Sequence, residues 1–152
     1  MKITEPPRAP AQRKHDLLAR LEKEMDVWVA TAGADGVPCL VPLWFLWDGE
    51  CVWLATRPST PTGRNLGAGG HVRLALGDTL DVVLVDGAAR MYTADEVPAA
   101  AAEAFSAKTG WDPRADAARY VYFRVRPRTV QARNGEHEMP GRFLMRDGVW
   151  VV

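Results

Sequence analysis

The chain has 152 residues, 47% hydrophobic and 25% charged, and its nineteen Lys and Arg balance nineteen Asp and Glu. That length and mix describe one folded domain able to bury roughly 70% of its unfolded surface, which excludes a disordered chain. Neutrality excludes a general affinity for nucleic acid or anionic membrane, and no apolar run nears the roughly 20 residues of a membrane span. The N-terminus carries no apolar signal core, so a cytoplasmic protein is expected.

Residues 1–9 are poor in apolar side chains and contain Pro6 and Pro7, which predicts a flexible tail before a single domain over 10–152. Residues 11–24 place Leu17, Leu18 and Leu21 on one stripe among charges, an amphipathic helix of lid or plug length. From residue 27 the period changes to that of strands: "VWVAT", "VPCLVPLWFLW" and "CVWLAT" are β-branched and aromatic. Asp35-Gly36, Asp48-Gly49 and Asp147-Gly148 read as two-residue type I′ hairpin turns, and Gly77-Asp78 as a further connection. Leu80 to Thr93 reads as one long strand with a bulge at Asp86-Gly87. Residues 94–109 read as an alanine-rich helix, acidic at its start and stopped by Gly110. A long strand over about 119–132, a polar loop and a final hairpin complete the order. Nothing alternates as β-α-β, so the expected fold is mainly β with short helices, an antiparallel barrel.

The two cysteines do not make a disulfide framework. A two-residue turn at Asp48-Gly49 would put Trp47 opposite Glu50 and Cys51 opposite Leu46. Cys39 would then lie about 23 Å away along the strand, beyond disulfide reach.

The hairpin over 37–56 is apolar on both faces, through Leu40, Val41, Leu43, Trp44, Phe45, Leu46, Trp47, Val52, Trp53 and Leu54. Such a sheet needs two covers. One is the barrel interior. The other is a second copy of the chain, giving a homodimer, or else the N-terminal helix.

Behind the third strand lies "ATRPSTPTGRNL". Thr60 precedes a proline and takes N-cap geometry, and Pro61 suits the first helical position, so a short helix follows over 61–68. The same corner can gather anion donors: helix N–H groups, the hydroxyls of Ser59, Thr60 and Thr62, and the guanidinium groups of Arg57 and Arg64.

The run "VATAGADGVPCLVPLWFLWDGECVWLATRPSTPTGRNL", with "HVRLALGD" and "VVLVDGAARMY" after it, resembles the pyridoxamine 5'-phosphate oxidase-like split-barrel family. The similarity covers about 15–133. It implies a homodimeric split β-barrel binding FMN or the deazaflavin F420 between protomers, with hydride transfer to or from a small organic substrate. By that resemblance Thr56, Thr60 and Thr62 take phosphate-site positions, with Thr62 standing where the family commonly has lysine. Arg57 or Arg64 would then supply the missing charge, with Ser59 and Asn65 beside them. Backbone groups of Val41, Pro42, Leu43 and Trp44 would run along the flavin ring, and Pro42 offers no ladder donor there. An alternative is a non-catalytic split-barrel carrier or sensor of flavin or haem, and a third is an empty dimeric interaction module.

No catalytic side chain is assigned and no metal site is expected: His15, His71 and His137 lack ligand spacing. His137 reads as a loop residue. Arg124, Arg126 and Arg128 share one strand face, either solvated or a basic wall with Arg142 for an anionic cofactor tail. Trp150 reads as a barrel cap or a reach into a partner's pocket.

Overall fold

The structure is a computed structural model and describes residues 5–152. In chain order it contains α1 (Pro10–Lys23), β1 (Asp26–Ala32), β2 (Pro38–Trp47), β3 (Val52–Thr56), α2 (Pro61–Gly67), β4 (His71–Ala75) and β5 (Asp81–Tyr92). Then come α3 (Ala99–Thr109), β6 (Val121–Asn134), β7 (Phe143–Arg146) and β8 (Val149–Trp150), with single 3-10 turns at Pro113–Asp116 and Glu136–Glu138. The strands run β3-β2-β1-β4-β5-β6, and β6 pairs back onto β3, so six antiparallel strands close a barrel. Strands β7 and β8 extend the sheet beyond β6.

Alternation fills the interior with Val27, Val29, Phe45, Leu54, Leu74, Val85 and Phe123, while Leu17 and Leu21 of α1 join the same core. The void among Leu21, Phe45, Val52 and Val83 is only about 10 Å³. On that measure a single water needs about 10–15 Å³, so the barrel is a packed core with no room for an organic ligand.

The second cover of the β2–β3 hairpin is partly α3. Ala102 and Phe105 of α3 pack with Leu46, Trp53, Ala55, Tyr92, Val97 and Tyr122 on the outer face. The rest of the hairpin's outer face stays open, with Trp44 43% and Leu40 60% exposed, as is Trp28 beside them on β1 at 43%. Helix α3 also begins later than its sequence suggests. Asp95 and Glu96 fall before it, Pro98 is its N-cap, and its first turn has no acid, while Gly110 ends it in the left-handed region as expected.

Two turns depart from the sequence reading. Asp147 and Gly148 have φ of 51° and 77°, the I′ pattern, but at Asp35-Gly36 and Asp48-Gly49 only the glycine is positive. The Asp48 carboxylate instead accepts from the N–H groups of Glu50 and Cys51 and from Trp53 Nε1. That lengthens the loop to four residues and pairs Trp47 with Val52 rather than Glu50. Both cysteines remain free.

The bulge falls at the expected step, but the extra residue belongs to the partner strand. Asp86 pairs with Thr129 and Gly87 with Pro127, leaving Arg128 of β6 unpaired between them. A Cβ on Gly87 would lie 2.2 Å from the Arg126 carbonyl oxygen, so the close approach needs glycine.

Of the stretch expected as a tail, residues 1–4 lie outside the described residues, whereas Arg8 is firmly held. Its side chain donates to both oxygens of Glu138 and to Asp16 and Asp81, and its N–H to Glu138. Glu138 is buried, as is Arg13, which donates to the carbonyls of Glu138 and Pro140. Burial alone would raise the Glu138 carboxyl. Hydrogen bonds from Arg8 and from the Asn134 N–H outweigh that and hold it at about 2, against an ordinary 4.5. This clasp fixes α1 across the barrel end.

Candidate functional site

Strands β1 and β2 pair with each other over seven residues, from Asp26↔Trp44 to Ala32↔Pro38. Each joins the rest of the barrel over only three. The β2–β3 ladder stops at Phe45↔Leu54, although Trp44 and Ala55 would be the next pair. The β1–β4 ladder stops at Ala30↔Arg73, although Thr31 and Val72 would follow. The barrel is therefore split along two seams, one on each side of the β1–β2 ribbon, and each seam opens into a cavity.

The first is a cleft of about 500 Å³ lined by Asp26, Pro42, Leu43, Trp44, Ala55, Thr56, Trp111 and Tyr120. Its wall is aromatic: Trp111 packs edge-on to Trp44 at 6.3 Å and to Tyr120 at 4.8 Å. Phe105 of α3 holds Trp111 from behind at 6.1 Å. Such a slot takes a flat ring by stacking and edge contacts. The Arg57 guanidinium lies 5.5 Å above the Tyr120 ring, which ties the strand end to the same wall.

From Thr56 the chain enters the corner. Thr60 is the N-cap as expected: its hydroxyl accepts from the Gly63 N–H at 3.1 Å and donates to the Arg57 carbonyl at 3.0 Å. The Arg64 N–H goes to the Thr60 carbonyl and Pro61 has none, so the seven-residue α2 presents little free helix-start N–H. The expectation of several free N–H donors there does not hold. Thr62 is buried, with its hydroxyl 3.3 Å from Cys39 Sγ. Asn65 donates to the Thr31 hydroxyl, tying α2 to β1. Donors still facing outward are the Ser59 hydroxyl and the exposed guanidinium groups of Arg57 and Arg64, the latter resting on the Ser59 carbonyl.

The sequence-predicted residues thus fall into two groups. Pro42, Leu43, Trp44 and Thr56 line the cleft, and Arg57, Ser59 and Arg64 stand at the corner beside it. Thr60, Thr62 and Asn65 are spent on holding the corner together, and Val41 packs against the barrel core. Sequence reasoning missed Asp26, Trp111 and Tyr120. Asp26 sits on the same ribbon face as Trp44, a pairing only the register reveals. Trp111 follows the helix-stopping Gly110, so an aromatic just past a C-cap was the available signal.

The second cavity is a groove of about 550 Å³ in the β1–β4 seam, lined by Ala30, Thr31, Ala32, His71, Val72, Arg73, Asp86, Gly87, Arg128 and Thr129. Arg73 binds Asp86 in a bidentate pair at 2.6 and 2.9 Å, and the Thr129 hydroxyl donates to the same carboxylate. The Arg73 guanidinium, aided by Thr129, holds the Asp86 carboxyl below its usual range despite burial. Arg128, the bulged residue, comes within 3.7 Å of the Asp147 carboxylate on an exposed turn. Of the other expected residues, Trp150 packs on the main core under Lys14, and Arg124 lies over Tyr92. His137 is half-buried in the 3-10 turn beside Glu138. No helix of the described residues is long and apolar enough to cross a membrane.

Comparison with solved structures finds the same architecture in several proteins. The haem-storage protein HutZ from Vibrio cholerae superimposes with a TM-score of 0.70 at 16% identity, covering 82% of this chain and 98% of HutZ. A protein described as an F420 reductase gives 0.61 at 24% identity, covering 74% and 93%. A pyridoxamine 5'-phosphate oxidase-like protein from Listeria innocua gives 0.65 at 17% identity, covering 80% and 98%. Comparison with curated proteins returns no significant match. Likenesses at these identities establish the fold alone. The sequence itself goes further, because the model of the pyridoxamine 5'-phosphate oxidase family matches residues 14–134, from within α1 to the end of β6. Barrel, corner and both seams lie inside that match, and the chain belongs to this family.

Proposed function

We propose that the chain is an oxidoreductase that binds FMN or F420 noncovalently in the β2–β3 seam and works as a homodimer. The observation that carries this reading is the seam itself. A ladder that stops at Phe45↔Leu54 opens a cleft of about 500 Å³ against Trp44, Trp111 and Tyr120, with a corner bearing Arg57 and Arg64 at its end. The cleft is of the size and lining that suit a tricyclic ring, and the corner arginines and the Ser59 hydroxyl suit a phosphate. Thr56 and the β2 edge around Leu43 would position the ring. A bound flavin or deazaflavin supplies hydride chemistry, so the protein needs to orient and desolvate rather than to provide a nucleophile. The substrate would be a small organic molecule stacked in the remaining space.

Titration with FMN and, separately, with F420 tests this reading by fluorescence. We expect saturable binding of one of them, weakened about tenfold or more by Arg57→Ala or Arg64→Ala. Loss of binding in neither variant would remove the corner from the site.

The uncovered ribbon face supports the dimer, since exposed Trp28, Leu40 and Trp44 form a contiguous apolar patch. Trp28→Glu is expected to convert a dimer into a monomer in sedimentation velocity. A wild-type monomer would dispose of the dimer. The alternative, a flavin or haem carrier without turnover, is favoured by one feature: Thr62 is neutral and buried where the family commonly has lysine. Tight cofactor binding with no hydride transfer across a panel of small acceptors would select it.

A further inference from the structure

Directly paired residues share a face of a sheet, so the registers give two neighbouring rows on the outer side of β4, β5 and β6. One row is Trp53, Arg124 and Arg90. The next is Arg126, Ala88 and His71. Ala88 is exposed and has the shortest side chain of either row, so it forms a low floor. Around it stand Arg126 and His71 across the strands, Arg90 two residues along β5, and Arg124 on the diagonal. Asp86, two residues the other way, is already neutralised: Arg73 holds its carboxylate in a bidentate pair and Thr129 donates to it. Arg90, Arg124 and Arg126 line neither the aromatic cleft nor the groove of the β1–β4 seam.

This arrangement works against the fold. Arg90 and Arg124 are direct cross-strand partners, and like charges so placed are destabilising. Among the described residues no carboxylate lies within ion-pair distance of Arg90, Arg124 or Arg126, whereas Arg73 and Arg128 each have one. Asp48 reaches this row through Trp53, but its carboxylate is taken up by that indole and by the N–H groups of Glu50 and Cys51. Both guanidinium groups of the opposed pair lie over the Tyr92 ring, 4.9 and 5.3 Å from its centre, and Tyr92 packs on Trp53 at 5.3 Å. Such contacts hold two cations side by side without cancelling either. The adjoining row, Ala55, Tyr122 and Tyr92, is packed beneath α3, so the sheet under the arginines is firmly backed.

We infer that this face is a second anion site, which seats the phosphoryl group of a phosphorylated small molecule on Ala88 between the arginines of β5 and β6. Each guanidinium presents a planar fork of N–H donors, and three such forks exceed what the two oxygens of one carboxylate can accept. A terminal phosphoryl group, with three oxygens and up to two charges, can take a fork from each strand at once. Binding there also relieves the Arg90–Arg124 repulsion, so the ligand should stabilise the fold. The inference does not depend on the cofactor reading, because none of its residues belongs to the cleft or to the corner bearing Arg57 and Arg64.

Calorimetric titration with inorganic pyrophosphate, at low and at physiological salt, tests this. Saturable binding should persist at physiological salt and weaken about tenfold or more in Arg124→Gln and in Arg126→Gln. Ala88→Glu should abolish it without removing any arginine, since the new carboxylate occupies the floor. Pyrophosphate should raise the urea midpoint of wild type and leave that of Ala88→Glu unchanged. Two variants serve as controls: Arg133→Gln removes the same charge from the same strand beyond the bulge, and Arg57→Ala with Arg64→Ala empties the corner. Both should keep this site within about twofold of wild type. Urea midpoints without ligand show that each variant is folded, and if Arg124→Gln is not, Arg126→Gln and Ala88→Glu decide. No binding by wild type, binding lost at physiological salt, equal weakening by Arg133→Gln, or loss in the corner variant alone would each overturn the inference. Failure of FMN and F420 to bind would remove the cofactor reading and leave this site standing.

Discussion

Replacing Glu138 with alanine is expected to destabilise the protein by about 3–5 kcal/mol, the cost of removing one partner from a buried ionic cluster. Glu138 is 1% exposed and takes four hydrogen bonds: two from the Arg8 side chain, one from the Arg8 N–H and one from the Asn134 N–H. Its removal strands those donors and leaves the buried Arg13 guanidinium without its nearest carboxylate, at 3.8 Å. Since whole domains are stable by about 5–15 kcal/mol, the variant would be marginal. Glu138→Gln keeps the size and so isolates the charge.

The pH dependence gives a second readout. The carboxyl is held at about 2 in the folded chain against 4.5 when free. A depressed acid contributes stability that is whole above its unfolded value and disappears as pH falls toward its folded value. The contribution is on the order of 3 kcal/mol, present above about pH 5 and lost between about pH 4.5 and 2. Urea midpoints measured across that window should fall steeply in wild type and less so in Glu138→Gln. Some slope should remain, since hydrogen bonds also lower Asp48 and Asp86. Equal slopes in the two proteins would show that Glu138 is not the acid that matters.

This clasp illustrates what the sequence leaves unread. Helix α1 announces itself through Leu17, Leu18 and Leu21, because periodicity is local. Glu138 stands in "GEHEMPG", where nothing local separates a buried hub from a solvated loop. Its partner Arg8 is 130 residues away and lies in a stretch that reads as a tail. The strands were legible for the same reason as α1, and the barrel followed from their number and the absence of β-α-β units. The end of each ladder was not. Whether Trp44 pairs with Ala55 depends on how far two strands diverge, which is a property of the closed barrel and not of either strand's own sequence. The cleft is therefore a tertiary feature, although Pro42, Leu43, Trp44 and Thr56 could be placed at it through the family resemblance. Asp48-Gly49 failed differently. A carboxylate able to reach three donors, including the buried Trp53 indole, outcompetes the two-residue turn that its dipeptide favours.

The corner was read correctly as a capped strand-to-helix turn, yet its tightest constraint lies in a residue that the capping pattern does not mention. A Cβ on Gly63 would sit 2.0 Å from the Arg57 carbonyl oxygen and 2.9 Å from both the Arg57 carbonyl carbon and Pro58 Cα. All three are backbone atoms, so no side chain can swing away to make room. Gly63→Ala must instead push the β3 end from the first turn of α2, breaking the Thr60 cap that its own N–H completes. We expect a loss of about 2–4 kcal/mol in urea denaturation. Gly67→Ala is the matched control: same helix, same change, nothing within 4 Å of the new Cβ. There alanine should be neutral or stabilise by up to about 1 kcal/mol, since glycine is the poorer helix former. If the corner also holds the cofactor, Gly63→Ala should weaken binding more than its stability loss alone explains, because Arg57 and Arg64 flank the displaced contact. Wild-type stability in Gly63→Ala would mean that strand end and helix are not so closely apposed. Wild-type affinity in a destabilised Gly63→Ala would leave the apposition standing and remove Arg57 and Arg64 from the anion's reach.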